Sequence, residues 1–272
     1  MARRGSVDFE GCSLAWRVDG TGPPLIIIQG VGACGTSANP QTELLSSHYS
    51  CLGFDNRGIG LSQPAGRPLN LAQMAADVGA IMDDVGWASA HIVAHSFGGM
   101  VAMELGLRER QRVRSLSLLC SFARGAEVTR LSFWLVWILA RLRFGSRALR
   151  RRAFQELVLP EDHPELHSAA MARRLSGIVG HDIADAPPIT GEQVSVMRRA
   201  DLTPQLSGLA GIPTLVVNGD KDRLARPELG RELAAGIPGA RYMEIAGAGH
   251  SLPVIDPELC AALILEHLAE QE

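Results

Sequence analysis

Long apolar runs and leader-like features are missing from this 272-residue sequence. The longest apolar run, residues 133–140, is closed by Arg141 and Arg143. It falls well short of the roughly 20 apolar residues that a helix needs to span a bilayer. The two arginines that follow Met1 and Ala2 have no apolar stretch behind them, so we expect neither a secretory signal nor a membrane anchor.

Cysteine is sparse, and its spacing indicates neither disulfides nor a zinc site. The cysteines are odd in number and none belongs to a Cys-x-x-Cys pair. Their positions are Cys12, Cys34, Cys51, Cys120 and Cys260. This usage fits a reducing compartment, and we expect the cytoplasm.

Neither sign of charge is in large excess, since the formal net charge is only −3. Such a balance offers no general attraction for nucleic acid. Hydrophobic residues make up 46% of the chain and charged residues 20%, which is typical of a globular protein rather than a disordered one. The length suits one α/β domain that carries an insertion.

Short apolar strands alternate with helical patterns along most of the chain. The predicted strands lack polar alternation and cover residues 25–28, 50–54, 91–94, 116–119 and 214–217. Strands of this kind are buried on both faces, as in a parallel sheet covered by helices. We therefore predict an α/β fold with a mostly parallel, doubly wound sheet.

The alternation breaks between residues 124 and 206. This stretch has no convincing strand, is rich in arginine, and is divided by Pro160 and Pro164. We predict a helical cap over 124–206, inserted between core segments 1–123 and 207–272. Its basic run, residues 147–152, is typical of a solvated helix face, although an anionic carrier or a membrane surface is the alternative partner.

Small residues surround Ser96 at the junction of a predicted strand and a predicted helix. The segment 94–99 reads Ala-His-Ser-Phe-Gly-Gly, which matches the nucleophile elbow with Ala94 in place of its first glycine. A sharp turn of this kind exposes the serine hydroxyl and aims the helix N-terminus at developing negative charge. The simpler interpretation is a capping serine at a Gly-Gly helix start.

A serine nucleophile needs a base within hydrogen-bond reach and an acid that orients the base. His250 lies on a glycine-rich loop between a short strand and the last helix, where it can face Ser96. Asp220 and Asp222 both follow a buried strand; we favour Asp222, with Asp220 as a turn former. The other histidines are expected to pack under the turn, for His95, or to lie on the surface or in helices, for His48, His91, His163, His167, His181 and His267.

With these motifs the sequence resembles the α/β-hydrolase superfamily, in its cap-bearing group of esterases and lactonases. The order Ser96, Asp222, His250 is the order that this superfamily uses, and the stretch around Asp55 and Arg57 is similar to its Asp-x-Arg-Gly-x-Gly-x-Ser loop. The family's His-Gly pair after the third strand is replaced here by Gln29-Gly30.

The resemblance implies an oxyanion hole formed by two backbone N–H groups, those of Val31 and Phe97. It implies a catalytic triad of Ser96, Asp222 and His250 that acts through an acyl-enzyme, without a metal or an organic cofactor. We expect a small, hydrophobic ester or lactone as the substrate and assign Gly30, Trp134 and Trp137 to its pocket, although both tryptophans could instead only pack the cap. The oligomeric state is left open.

Other functions are compatible with the same motifs. A thioesterase, an acyl transferase, a tailoring enzyme of secondary metabolism or a cofactor-free oxygenase would keep the site and change the reaction. A ligand receptor with an inactive triad would keep only the fold. A dehalogenase or an epoxide hydrolase is disfavoured because both need an aspartate where Ser96 stands.

Overall fold

The computed structural model describes residues 2–37, 39–66 and 68–271. Eight strands form one sheet in the order β1-β2-β4-β3-β5-β6-β7-β8. The strands are β1 (Arg3–Phe9), β2 (Cys12–Asp19), β3 (Pro24–Ile28), β4 (Ser50–Phe54), β5 (Ala90–His95), β6 (Val113–Leu119), β7 (Thr214–Gly219) and β8 (Arg241–Ile245). From β3 onward neighbouring strands pair in parallel, and β1 and β2 form an antiparallel hairpin at one edge.

Helices connect the strands and cover the sheet. Those of the described residues are α1 (Pro40–Leu45), α2 (Leu71–Val85), α3 (Phe97–Arg108), α4 (Gly125–Val128), α5 (Phe133–Phe144), α6 (Arg147–Val158), α7 (Ala169–Val179), α8 (Thr190–Arg199), α9 (Pro227–Gly236), α10 (Leu252–Ile255) and α11 (Pro257–Ala269). Short 3-10 turns cover Arg110–Arg112 and Thr203–Leu209. The α/β fold with a mostly parallel sheet is thus confirmed.

Local sequence explains where the core helices begin. The side chain of Asn70 accepts a hydrogen bond from the Gln73 N–H and so caps α2, as asparagine commonly does at a helix start. Proline occupies the first turn of α9 and of α11, where a missing N–H donor costs nothing. β3 and β5 are almost wholly buried, which agrees with a sheet covered on both faces.

The prediction that His91 lies on the surface or in a helix is wrong. His91 is neither on the surface nor in a helix, because it is buried within β5. Its Nδ1 lies 2.8 Å from the hydroxyl oxygen of Ser115 on the neighbouring strand β6. A polar partner across the sheet allows the imidazole to be buried where an isolated polar ring would be unfavourable.

The segment between β6 and β7 contains five helices, α4 to α8, and, in its described residues, no strand of the sheet. Some of them form a second, smaller hydrophobic cluster that includes Val158, Leu159, Met171 and Leu175. The exact division of the chain into core and cap stays a prediction. Within the ranges that the structure describes, no helix combines the length and apolar character that crossing a membrane requires.

Candidate active site

Ser96 stands at the sharp turn between β5 and α3. Its backbone has φ 56° and ψ −125°, a region that residues with a side chain rarely adopt. Close packing holds the turn: a Cβ added to Gly98 would lie 2.4 Å from the Ile28 carbonyl oxygen, and one added to Gly99 would lie 1.9 Å from the Ser121 hydroxyl oxygen. The turn has to be sharp to expose the Ser96 hydroxyl at the carboxyl end of the strand. A sharp turn strains the backbone of Ser96 and leaves space only for glycine at positions 98 and 99.

The structure brings the side chains of Ser96, His250 and Asp222 together. His250 Nε2 lies 2.9 Å from Ser96 Oγ, and its Nδ1 lies 2.8 Å from Asp222 Oδ2. The other carboxylate oxygen of Asp222 accepts hydrogen bonds from the N–H groups of Leu224 and Ala225, at 2.8 and 2.9 Å. The buried carboxylate is therefore fixed in place and fixes the tautomer of the imidazole in turn.

Asp220, the alternative acid, lies elsewhere. It is exposed, and its Oδ1 accepts a hydrogen bond from the Gly247 N–H at 2.7 Å. The geometry is that of a residue that joins two neighbouring loops. Of the two aspartates, Asp222 alone is in contact with His250 in the structure.

The N–H groups expected to form the oxyanion hole are unoccupied donors. Within the described part of the chain, neither the Val31 N–H nor the Phe97 N–H donates to another group. Gly30 packs against the nucleophile, since a Cβ added there would lie 3.2 Å from Ser96 Cβ. The loop after β3 and the first turn of α3 both adjoin Ser96. The role of the two N–H groups as an oxyanion hole stays a prediction.

The loop of residues 29–34 contains the predicted oxyanion donor Val31, and we call it the oxyanion loop. The helical insertion holds it in three places. The Gly32 N–H donates to Gln193 Oε1 at 2.8 Å, and the Gly32 carbonyl accepts from His181 Nε2 at 2.9 Å. The Cys34 N–H donates to the Val179 carbonyl at 3.0 Å. Gln193 and His181 could not be identified from the sequence, because no local pattern marks a side chain whose partner lies in another part of the fold.

The surroundings of His95 could be predicted only in part. It packs beneath the turn as expected, but its Nε2 also lies 2.9 Å from the backbone carbonyl oxygen of His250. Burial, followed by the nearby His250, lowers the pKa of His95 to about 4. The ring is therefore neutral near pH 7 and donates its Nε2–H to that carbonyl.

One group of residues near the triad has the composition of a metal site. Ligand atoms of His95, Cys120 and His250 lie within 4.8 Å of one another. Burial raises the pKa of the Cys120 thiol well above its ordinary value, so the thiolate that a metal needs is disfavoured. Both ring nitrogens of His250 already have partners. The residues present do not fit a resident metal ion.

The predicted pocket residues have mixed surroundings. Trp134 stacks on Arg223, whose guanidinium carbon is 3.9 Å from the ring centre, next along the chain from Asp222. Trp137 is 62% exposed, so most of its ring faces solvent. The assignment of Gly30, Trp134 and Trp137 to a substrate pocket stays a prediction.

A sequence model described as the alpha/beta hydrolase fold matches residues 23–257. The chain belongs to the α/β-hydrolase family. RutD of Azorhizobium caulinodans, whose name gives carbamate hydrolysis as a provisional activity, is 26% identical over 94% of this chain and 95% of its own length.

Two solved structures extend the similarity. The enol-lactonase of Burkholderia xenovorans LB400 has a TM-score of 0.80 and 26% identity, over 97% of this chain and 100% of its own. A thermophilic esterase of Thermogutta terrifontis has a TM-score of 0.80 and 25% identity, over 99% of both chains. Hydrolysis is the reaction class that the names of these relatives share.

Proposed function

We propose that this α/β-hydrolase family member is a serine hydrolase that cleaves a carboxylic ester or a lactone through an acyl-enzyme. The observation that carries the proposal is the pair of hydrogen-bond distances at His250, 2.9 Å to Ser96 Oγ and 2.8 Å to Asp222 Oδ2. A nucleophile, a base and an orienting acid in this arrangement are suited to acyl transfer.

The reaction proceeds in two halves. His250 Nε2 accepts the Ser96 proton while the oxygen attacks the carbonyl carbon, and the Val31 and Phe97 N–H groups stabilise the resulting oxyanion. The imidazolium gives its proton to the leaving alcohol, which leaves the acyl group on Ser96. Water then loses a proton to His250 and attacks the acyl carbon. The bond from that carbon to Ser96 Oγ breaks, the imidazolium returns its proton to Oγ, and the carboxylic acid leaves. Asp222 stabilises the imidazolium in both halves.

We propose an ester rather than another acyl compound as the substrate, because the similar proteins include an esterase and an enol-lactonase. A lactone is an internal ester, so one site accommodates both. The small substrate is expected to be hydrophobic, since Trp134, one of the predicted pocket residues, stacks on Arg223 next along the chain from Asp222. The chemistry requires neither a metal nor an organic cofactor.

The test is hydrolysis of p-nitrophenyl esters of increasing acyl length and of aliphatic lactones. Ser96→Ala, His250→Ala and Asp222→Asn should each lower kcat by roughly 10⁴-fold or more, whereas Asp220→Asn should retain nearly full activity because its carboxylate binds Gly247. Equal losses in the two aspartate variants would contradict the assignment of the acid.

Covalent labelling separates this function from a receptor on the same fold. A fluorophosphonate should label wild-type protein at Ser96 and leave Ser96→Ala unlabelled. Labelled protein that hydrolyses no ester or lactone would favour a thioesterase or an acyl transferase, to be tested with thioesters and acceptor alcohols. Absence of labelling in folded protein would favour a binding role.

A further inference from the structure

Helix α5 carries apolar residues on two faces, and only one of them is buried. Leu135 and Ile138 point into the protein. Phe133, Val136, Trp137 and Phe144 recur at helical spacing and are exposed. We call these four residues the α5 stripe.

The α5 stripe is concentrated rather than scattered. Phe133 is 99% exposed and Phe144 is 83% exposed. Of the nine exposed large hydrophobic residues in the described part of the chain, seven lie between Leu131 and Leu149. Single exposed apolar residues are ordinary, but a contiguous exposed patch of this kind marks an interaction surface.

Arginine is abundant in the sequence on both sides of the α5 stripe. Residues 129–155 contain seven arginines and no acidic residue, in a chain whose net charge is −3. Arg141 pairs with Glu156, and Arg147, Arg150 and Arg151 pair with Asp182 or Asp185. The remaining three, Arg130, Arg143 and Arg152, have no ion-pair partner within residues 2–37, 39–66 and 68–271.

We propose that the α5 stripe docks on an anionic lipid surface, with α5 lying in the plane of the membrane. α5 is apolar on both faces, so its buried face packs on the protein while its exposed face can present tryptophan and phenylalanine to the lipid. Arginines beside such a face can reach the headgroups. The unpaired arginines gain from the negative potential of such a surface. The aromatic side chains gain from leaving water.

Charge argues against two other occupants. A second copy of the chain, packed stripe against stripe, would bring the unpaired arginines of both copies close together, which is unfavourable. Nucleic acid would satisfy the arginines and leave Phe133 and Phe144 in water. The membrane proposal is independent of the reaction at Ser96, because the stripe is defined by exposure and charge alone.

The experiment is co-sedimentation of the full chain with vesicles of phosphatidylcholine alone and of phosphatidylcholine mixed equally with phosphatidylglycerol, at low and at high salt. We expect binding to the mixed vesicles, weakened by salt. Phe133→Ser and Phe144→Ser should each weaken binding by about tenfold, and Arg143→Glu by about fivefold or more.

Two matched variants serve as controls. Leu61→Ser removes another exposed apolar side chain, which is 74% exposed and lies outside the patch. Arg4→Glu reverses an exposed charge on β1. Both should bind the mixed vesicles as the wild type does.

Three outcomes would overturn the proposal. The first is no binding to either vesicle, and the second is binding that the stripe variants and the control variants weaken equally. The third is a wild-type dimer in sedimentation equilibrium that Phe133→Ser dissociates, which would assign the stripe to a second copy of the chain. Circular dichroism of each variant verifies folding, and ester hydrolysis is not a readout.

Discussion

The Nε2–H of His95 donates to the backbone carbonyl of His250 at 2.9 Å. The residue before the nucleophile thereby holds the backbone of the residue that binds the nucleophile's hydroxyl. The two rings are 5.0 Å apart, so a charge on one is felt by the other. Two properties of the protein, the position of His250 and the pH dependence of folding, follow from this contact.

The pH dependence has a definite sign. The pKa of His95 falls from an ordinary value of 6.5 to about 4 in the folded protein, so between these values the unfolded chain binds a proton that the native state does not. The stabilising contribution is complete above pH 6.5 and is lost as the pH falls through this window. Between pH 7 and pH 5 the wild type should lose about 2 kcal/mol of unfolding free energy that His95→Gln retains.

Urea unfolding of both proteins at the two pH values measures this difference. Glutamine cannot be protonated but its amide can donate to the His250 carbonyl, so His95→Gln should retain most of the ester hydrolysis, whereas His95→Phe should not. An identical pH dependence in wild type and His95→Gln would exclude His95 as the titrating group.

Gln193 should affect turnover although we assign it no chemistry. Gln193→Met removes the acceptor of the Gly32 N–H and frees the oxyanion loop, which should lower kcat by roughly 10- to 100-fold. Gln155 is also a buried glutamine of the helical insertion, but its Nε2 donates to the Ser168 carbonyl rather than to a group of this loop. Gln155→Met should therefore leave kcat nearly unchanged, and equal effects of the two variants in steady-state kinetics would refute the loop's dependence on Gln193.

A methyl group should be tolerated very differently at two helical glycines. At Gly98 the added Cβ would lie 2.4 Å from a backbone oxygen that cannot move aside, whereas at Gly177 in α7 nothing lies within 4 Å. Gly98→Ala should lower the free energy of unfolding by about 1–3 kcal/mol, and Gly177→Ala should raise it by up to about 1 kcal/mol. Urea unfolding compares the two directly, and a neutral Gly98→Ala would show that the turn is less closely packed than described.

The buried ion pair of α2 is a third site with a matched control. Asp77 binds Arg57 through both carboxylate oxygens, at 2.6 and 2.9 Å, and both side chains are almost fully buried. Asp77→Asn leaves the guanidinium buried without a counter-charge and should cost about 3–5 kcal/mol of unfolding free energy. Asp83 also lies on α2, but it is exposed and pairs with Arg112. Asp83→Asn should cost about 1 kcal/mol or less, and urea unfolding of both variants measures the difference.

The sheet could be predicted from sequence because its strands are apolar on both faces, a local property that needs no partner to be recognised. The elbow around Ser96 is local in the same sense, since small residues must flank a strained turn. The strand order was not foreseen, because β4 lies between β2 and β3 for reasons of long-range packing. His91 was misplaced for a related reason, since its partner Ser115 lies on another strand.

The candidate site likewise has a part that could be predicted from local sequence and a part that could not. Ser96, Asp222 and His250 each follow a predicted strand, and parallel strands end at one edge of a sheet, so their meeting could be anticipated. The contacts of Gln193 and His95 join residues more than 150 positions apart. Nothing in the neighbouring sequence identifies such partners. The packing of the insertion on the core determines the contact of Gln193, and the packing of β5 against the loop after β8 determines that of His95.

The three hydrogen bonds between the insertion and the oxyanion loop also make the surroundings of Ser96 depend on the insertion. Gly30 belongs to the same loop and packs against Ser96. Because Gln193, His181 and Val179 hold Gly32 and Cys34, we expect a displacement of the segments that carry them to displace this loop as well. A change in the insertion is then expected to alter the rate of the reaction proposed at Ser96, and not only the binding of the substrate.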